Sequence, residues 1–188
     1  MLEWLKSIFN PPRPSGPPET IRVFRTTDRT LTQGSVAVAQ DGWVVDSKEQ
    51  QTIRLFEVET PEAEQCLLTY RAKLKTEVLA GRAYLEMWCR FPGRGEFFSK
   101  GLHHAVKGTT DWASCETPFL LKKGQRPDLI KLNLVIEGRG KVWVMVEHGR
   151  AAVARTRRTN RGWWCTGALL LGVNLTGTFV TASRDAAR

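Results

Sequence analysis

Tyr84, Glu86, Trp88 and Arg90 alternate with Ala83, Leu85, Met87, Cys89 and Phe91. This is the two-residue rhythm of a strand with one apolar side and one side that mixes aromatic and charged groups. Aromatic faces stack on the C–H surfaces of a sugar, and amide or charged neighbours hydrogen-bond its hydroxyls in a shallow groove. The same chemistry recurs at Lys131 and Asn133, which oppose Ile130, Leu132, Leu134 and Ile136, at Arg71 and Lys73 within the alternating stretch around Leu68–Leu74, and at Trp143 between Val142 and Val144. Together these make up the candidate ligand-binding set. The competing reading is structural: Arg71, Glu86, Arg90 and Lys131 pair with opposite charges across strands, and Trp88 packs beneath a loop.

The other chemistry-bearing groups lead to less. His103 and His104 are adjacent, so on a strand they point to opposite faces, and no third ligand has a spacing that would complete a metal site. No nucleophile elbow, cysteine–histidine arrangement or obligate carboxylate pair is visible. The expectation is a protein that is not an enzyme, with no cofactor and no metal.

Such residues need a scaffold, and 188 residues suffice for one well-buried domain with tails. A hydrophobic fraction of 41% and a charged fraction of 25% are those of a folded domain. The net charge of +9 is unevenly placed. Residues 31–141 hold sixteen Lys and Arg against fourteen acids, whereas residues 142–188 hold seven Arg against two acids. The central part is nearly neutral, and the basic character belongs to the C-terminal segment. Counterion release at Arg150–Arg161 would give salt-sensitive, sequence-blind affinity for nucleic acid, a reading ranked behind the two set out below. Cys66, Cys89, Cys115 and Cys165 lack metal-type spacing and no secretory signal precedes them. Cys89 reads as a small core residue, and a Cys66–Cys115 disulfide is open but not demanded. The expected location is cytoplasmic or membrane-associated.

In chain order, Met1–Phe9 makes a short apolar stretch stopped by Asn10-Pro11-Pro12, and five of the nine prolines fall within residues 11–18. Residues 1–20 therefore read as an N-terminal segment and extended linker. Strands follow at 21–31, at 34–45 with an Asp41-Gly42 turn, at 51–59 with Ile53 and Leu55 inward and Arg54 and Glu57 outward, at 66–76, at 81–91, at 96–102, at 113–121, at 129–137 and at 141–147. Glu77–Gly81 and Gly138–Gly140 read as connections between them. So many short strands without a long helix predict an all-β fold, two antiparallel sheets packed as a sandwich over residues 21–149. Residues 150–188 form an Arg-rich segment followed by an apolar run, Trp163–Ala182, that has the order of a membrane span with its basic flank but is diluted by Asn174, threonines and glycines.

Leu68-Thr-Tyr-Arg-Ala-Lys-Leu-Lys-Thr76, Tyr84–Arg90, Gly108-Thr-Thr-Asp-Trp112, Pro118-Phe119 and Leu132–Glu137 with Gly138, in that order, resemble carbohydrate-binding modules of the CenC type. These modules are galactose-binding-like jelly-roll sandwiches, and the likeness covers roughly residues 34–147. It implies the jelly-roll fold and, more loosely, a glycan ligand. The family commonly ends on Val-x-hydrophobic-Asp-Asp-Val, whereas this chain reads Val142-Trp-Val-Met-Val-Glu147. No calcium or edge-sealing role therefore carries over, and the segment after about Val144 reads as a divergent or frame-altered end. The resulting expectation is a non-catalytic module for a carbohydrate or another hydroxyl-rich ligand. The alternative is an interaction or scaffold domain with a protein partner, tethered to a membrane through 163–182.

Overall fold

The computed structural model describes residues 18–40 and 42–145, and the backbone of 151–157. The Met1–Phe9 stretch, most of the proline-rich linker, Asp41, Glu147, the remaining arginines of the basic segment, Cys165 and Trp163–Ala182 lie outside the described residues. Nine strands are present among the described residues: β1 Glu19–Phe24, β2 Ala37–Ala39, β3 Gly42–Ser47, β4 Gln51–Glu59, β5 Cys66–Phe91, β6 Gly95–Lys100, β7 Val106–Leu120, β8 Leu129–Met145 and β9 Ala151–Arg157. All pairings among them are antiparallel. The fold is an all-β sandwich, as the alternation predicts.

Two strands build both layers. A straight 26-residue strand such as β5 would run roughly 85 Å, several times the roughly 14 Å radius of gyration of a domain this size. It has to turn a corner. The first half of β5 pairs with β7 on one side and with β9 and then the end of β8 on the other, and β8 continues this layer to β3 and β2. The second half of β5 lies between β6 and the first half of β8, which in turn carries β4. The second layer therefore runs β6-β5-β8-β4. Both corners are at the same place: the β5 register shifts between Glu77 and Ala80, and Gly81 sits opposite Gly138. Glu77–Gly81 and Gly138–Gly140 are thus bends within continuous strands and not connections between separate ones. Their glycines signal a turn to a sequence reader, but the hydrogen-bond ladder passes through them.

Leu68, Tyr70, Ala72 and Leu74 from the first half of β5 pack against Ala83, Leu85, Met87 and Cys89 from its second half, joined by Ile130–Ile136 alternates, Val142, Val144, Trp43, Val45, Ile53 and Phe56 in one core. Each fully buried aliphatic side chain here stabilises the fold by about 1.5–3 kcal/mol. Phe56 is stacked on Phe24 with ring centroids 4.0 Å apart and meets Trp43 edge-on at 5.1 Å, which fastens β1 and β3 to β4. Cys66, Cys89 and Cys115 are buried in this interior and are not joined in disulfides. Burial pushes the Cys89 thiol up to about 12 and the Cys115 thiol to about 11, so both stay protonated and behave as small apolar groups.

The sandwich is wider than the interval 21–149. It begins at Glu19 and takes in Ala151–Arg157, which pairs with β1 on one side and with Cys66–Arg71 of β5 on the other. Within the segment after Val144, Ala151–Arg157 is therefore part of the sheet. Its Ala-Ala-Val-Ala-Arg-Thr-Arg composition lacks the apolar alternation by which a strand is read. It can pair because an available backbone edge is satisfied by main-chain hydrogen bonds whatever the side chains.

Candidate functional site

Direct pairing puts opposed residues on one face of a sheet. On the side of the β6-β5-β8-β4 layer turned away from the core, three rows can be read from the register. Lys100, Glu86, Asn133 and Arg54 form one; Phe98, Trp88, Lys131 and Glu57 form the next; Glu96, Arg90, Leu129 and Glu59 form the last. Tyr84 lies one step along β5, opposite Val135. Of the sequence-derived candidates, Tyr84, Glu86, Trp88, Arg90, Lys131 and Asn133 share this face.

Arg71, Lys73 and Trp143 do not. They belong to the other layer, where Arg71 is ion-paired to Glu116 at 2.9 Å, Lys73 lies opposite Ser114 and Met145, and Lys75 stands 5.9 Å over the Trp143 ring. The corners in β5 and β8 carry the two halves of each strand into different layers, so the outward residues of one half do not share a surface with those of the other. Tyr84 also departs from expectation. It is only 1% exposed, and its hydroxyl donates to Glu137 Oε1 at 2.9 Å beneath an Arg82 guanidinium 5.7 Å from the ring. It is therefore no stacking platform. Burial first, and the Glu137 acceptor second, push its phenol up to about 12, which keeps it a donor throughout the physiological range.

Glu86 organises the centre. Although it faces away from the core, it is 5% exposed. Its Oε2 accepts from the Trp88 indole Nε1 at 2.7 Å and from Asn133 Nδ2 at 3.0 Å, and its Oε1 lies 3.7 Å from Lys100 Nζ. The indole orientation is thus set by a carboxylate that is itself held from two other strands. Trp88 is half-buried, and its outer neighbour is Phe98 at a centroid distance of 4.9 Å, with Lys100 Nζ 5.4 Å above the Phe98 ring. Phe98 remains 53% exposed, so two rings of adjacent strands meet solvent together. Trp88 packs against Phe98 on an edge strand and not beneath a loop, whereas cross-strand ion pairing is present at Arg71, Glu86 and Lys131, and Arg90 pairs with Asp128 just before β8.

Phe98, Lys100, Glu96 and Arg54 were not among the sequence candidates. Arg54 and Glu57 could be placed on an outward face from the β4 pattern alone, and adjacent Phe97-Phe98 on a strand must send one ring to each side. No local signal says that β6 and β4 flank the Trp88 strand pair.

The ion pairs of this face carry a pH dependence. The Arg82 guanidinium, and then the Tyr84 hydroxyl, hold Glu137 below the usual carboxylate range, and Arg90 does the same for Asp128. A depressed carboxylate pKa stabilises the fold above the unfolded-state value of about 4, and that contribution disappears as pH falls through the folded-state value. The urea midpoint, followed by tryptophan fluorescence, is expected to drop between pH 5 and pH 3. Glu137→Gln with Asp128→Asn should lower the midpoint at pH 7 and shrink the acid-induced drop. An equally large acid drop in the double variant would show that other groups govern it.

Among the described residues, no group of three His, Cys, Asp or Glu side chains is arranged to hold a metal ion, and no helix is long and apolar enough to cross a membrane. His103 and His104 sit in a short 3-10 turn, with His104 Nδ1 3.2 Å from the Glu116 carbonyl oxygen.

No protein-family model matches the chain, and no curated protein matches it either. Among solved structures it is similar to the CBM22-1 xylan-binding domain of Paenibacillus barcinonensis Xyn10C, at 10% identity and a TM-score of 0.51, over 77% of this chain and 99% of that one. It is also similar to the CBM22-1–GH10 modules of Clostridium thermocellum Xyn10B complexed with xylohexaose, at 10% identity and a TM-score of 0.49, over 76% of this chain and 28% of that one. With one residue in ten shared, the first of these establishes a common β-sandwich fold.

Proposed function

We propose that the chain is a non-catalytic carbohydrate-binding module that receives a glycan on the outward face of the β6-β5-β8-β4 layer. The observation that carries this reading is the Trp88–Phe98 pair, in which an indole held edge-on by Glu86 lies beside a half-exposed phenyl ring. Preset aromatic faces bind sugars with little loss of side-chain freedom, since the rotamer is already fixed before the ligand arrives. Hydrogen-bonding groups surround the rings on three sides, from Lys100, Lys131 and the Glu86–Asn133 couple. Glu57, Glu86, Glu96 and Glu137 of the face are engaged in ion pairs with cations, which is an arrangement suited to holding a ligand. A neighbour of the same fold is described as xylan-binding, so xylan is the first polysaccharide to test.

Titration of the full chain with soluble xylan, mixed-linkage glucan and mannan, followed by tryptophan fluorescence, is the direct experiment. Binding by at least one is expected, and Trp88→Ala and Phe98→Ala should each weaken it about tenfold, the loss of roughly 1–2 kcal/mol of ring contact. Affinity unchanged from the wild type in both variants would remove this face as the platform.

A further inference from the structure

We propose that the cleft between Arg54 and Asn133 is a hydroxyl-binding subsite, and that this subsite together with the paired charges around it makes the face selective for an uncharged glycan chain lying across the strands. The inference rests on the glycan reading above and extends it from a platform to a ligand class.

It begins with two polar atoms. Asn133 is 3% exposed, and its Nδ2 donates to Glu86 Oε2. Because a carboxylate only accepts, the amide orientation is settled: the NH2 faces Glu86 and Oδ1 is turned away from it. That Oδ1 is buried and has no hydrogen-bond partner among the described residues. Arg54 is the residue opposite Asn133 on β4. Its Nη1 is engaged by Glu57 at 3.1 Å, yet its Nε is likewise buried without a partner among the described residues. Native interiors seldom leave such atoms unpaired, and an orphaned donor beside an orphaned acceptor on one face is a pattern that asks for an occupant. Both residues line one open cleft of about 340 Å3, together with Leu31, Thr32 and Thr52. Its outer wall is fixed: Leu31 and Thr32 donate their backbone N–H groups to the Leu55 and Arg54 carbonyls, and the Thr32 hydroxyl accepts from Arg54 N.

The pair defines what fits. Arg54 Nε–H needs a lone pair and Asn133 Oδ1 needs a proton, and one hydroxyl supplies both. A carboxylate or sulfate has no proton to offer Oδ1, and an ammonium has no lone pair for Nε. Charge on the rest of the face agrees. Its cations Arg54, Arg82, Arg90, Lys100 and Lys131 are matched by Glu57, Glu137, Asp128, Glu86 and Glu96, so no unpaired cation among them waits for an anionic sugar. Geometry sets the direction. Phe98 on β6 and Arg54 on β4 are three strand spacings apart, roughly 14 Å, so a ligand touching both must be an extended chain that crosses the strands.

Isothermal titration of the full chain with xylohexaose, cellohexaose and hexagalacturonic acid tests this, using the wild type, Trp88→Ala, Arg54→Lys and Asn133→Leu. Arg54→Lys keeps a cation for Glu57 but puts a methylene where Nε was, and it acts at a partly exposed residue. It therefore carries the test if Asn133→Leu, whose folding is checked by circular dichroism, does not fold. A neutral hexasaccharide is expected to bind, hexagalacturonic acid is not, and Arg54→Lys should weaken binding about fivefold to tenfold, the effect of one lost hydrogen bond. Unchanged affinity in Arg54→Lys, with binding still lost in Trp88→Ala, would overturn the subsite and leave the platform standing. A salt-sensitive preference for hexagalacturonic acid would overturn the selection for uncharged chains. Failure of the wild type to bind any of the three would overturn both readings.

Discussion

Replacing Gly138 by alanine should cost more than about 4 kcal/mol, a loss outside the common range for a single substitution. Gly138 has φ +130°, and a Cβ built on it would stand 1.6 Å from the Ala80 carbonyl oxygen. Its partner across the ladder is the mirror of this: Gly81 has φ +122°, with a Cβ position 1.7 Å from the Glu137 carbonyl oxygen. The obstacles are backbone atoms of the two strands that carry the whole sandwich, so neither can withdraw without opening the corner. A conformation that only glycine adopts and a contact that only hydrogen allows are lost together. Gly124→Ala is the control, since Gly124 also has positive φ, +78°, but nothing stands within 4 Å of its added Cβ; it should cost only about 1 kcal/mol. Urea unfolding of the three proteins decides the matter. A Gly138→Ala midpoint close to that of Gly124→Ala would mean that the corner is far more yielding than its geometry says.

Glu86→Ala is expected to destabilise the fold by about 3–5 kcal/mol and to abolish the proposed glycan binding at the same time. The deletion leaves the Trp88 indole N–H and the Asn133 amide N–H without their acceptor and removes the carboxylate beside Lys100. Breaking a buried charged network from one side is costly because the surviving partners stay desolvated. The Asn133 amide would then be unpaired at both ends. Glu86→Gln separates geometry from charge, because one amide oxygen can still accept from both donors. It should recover more than half of the lost stability and most of the fluorescence response to ligand. If alanine and glutamine variants are equally destabilised, charge pairing with Lys100 matters more than the orientation of the indole. If alanine leaves stability unchanged, Glu86 is not the keystone of this face.

The two predictions draw on different kinds of legibility. Glu86, Trp88 and Asn133 could all be placed on outward sides from the alternation of their own strands, and that placement stands. What alternation could not say is that an outward carboxylate would be 5% exposed, or that an outward tyrosine would be 1% exposed. Burial on the outer face comes from lateral neighbours: Lys100 from β6 and Asn133 from β8 beside Glu86, and Glu137 with Arg82 beside Tyr84. Gly81 and Gly138 were visible as glycines, but a reader of one strand at a time takes them for turns.

By itself the sequence determined parity. Within each strand it decided which side chains face inward together, because successive residues of an extended chain point to opposite sides whatever surrounds them. From that alone follow the all-β architecture, the inward sets around Leu68–Leu74, Ala83–Phe91 and Ile130–Ile136, and the mixed polar and aromatic character of the outward ones. Only the tertiary structure decided adjacency. It sent Arg71, Lys73 and Trp143 to one layer and Trp88 to the other, drew Ala151–Arg157 into the sheet, and brought Phe98 and Arg54 to opposite ends of one surface. Parity is a property of the backbone over two or three residues, whereas adjacency depends on hydrogen bonds between segments tens of residues apart, and no short stretch of chain records which edge it will meet.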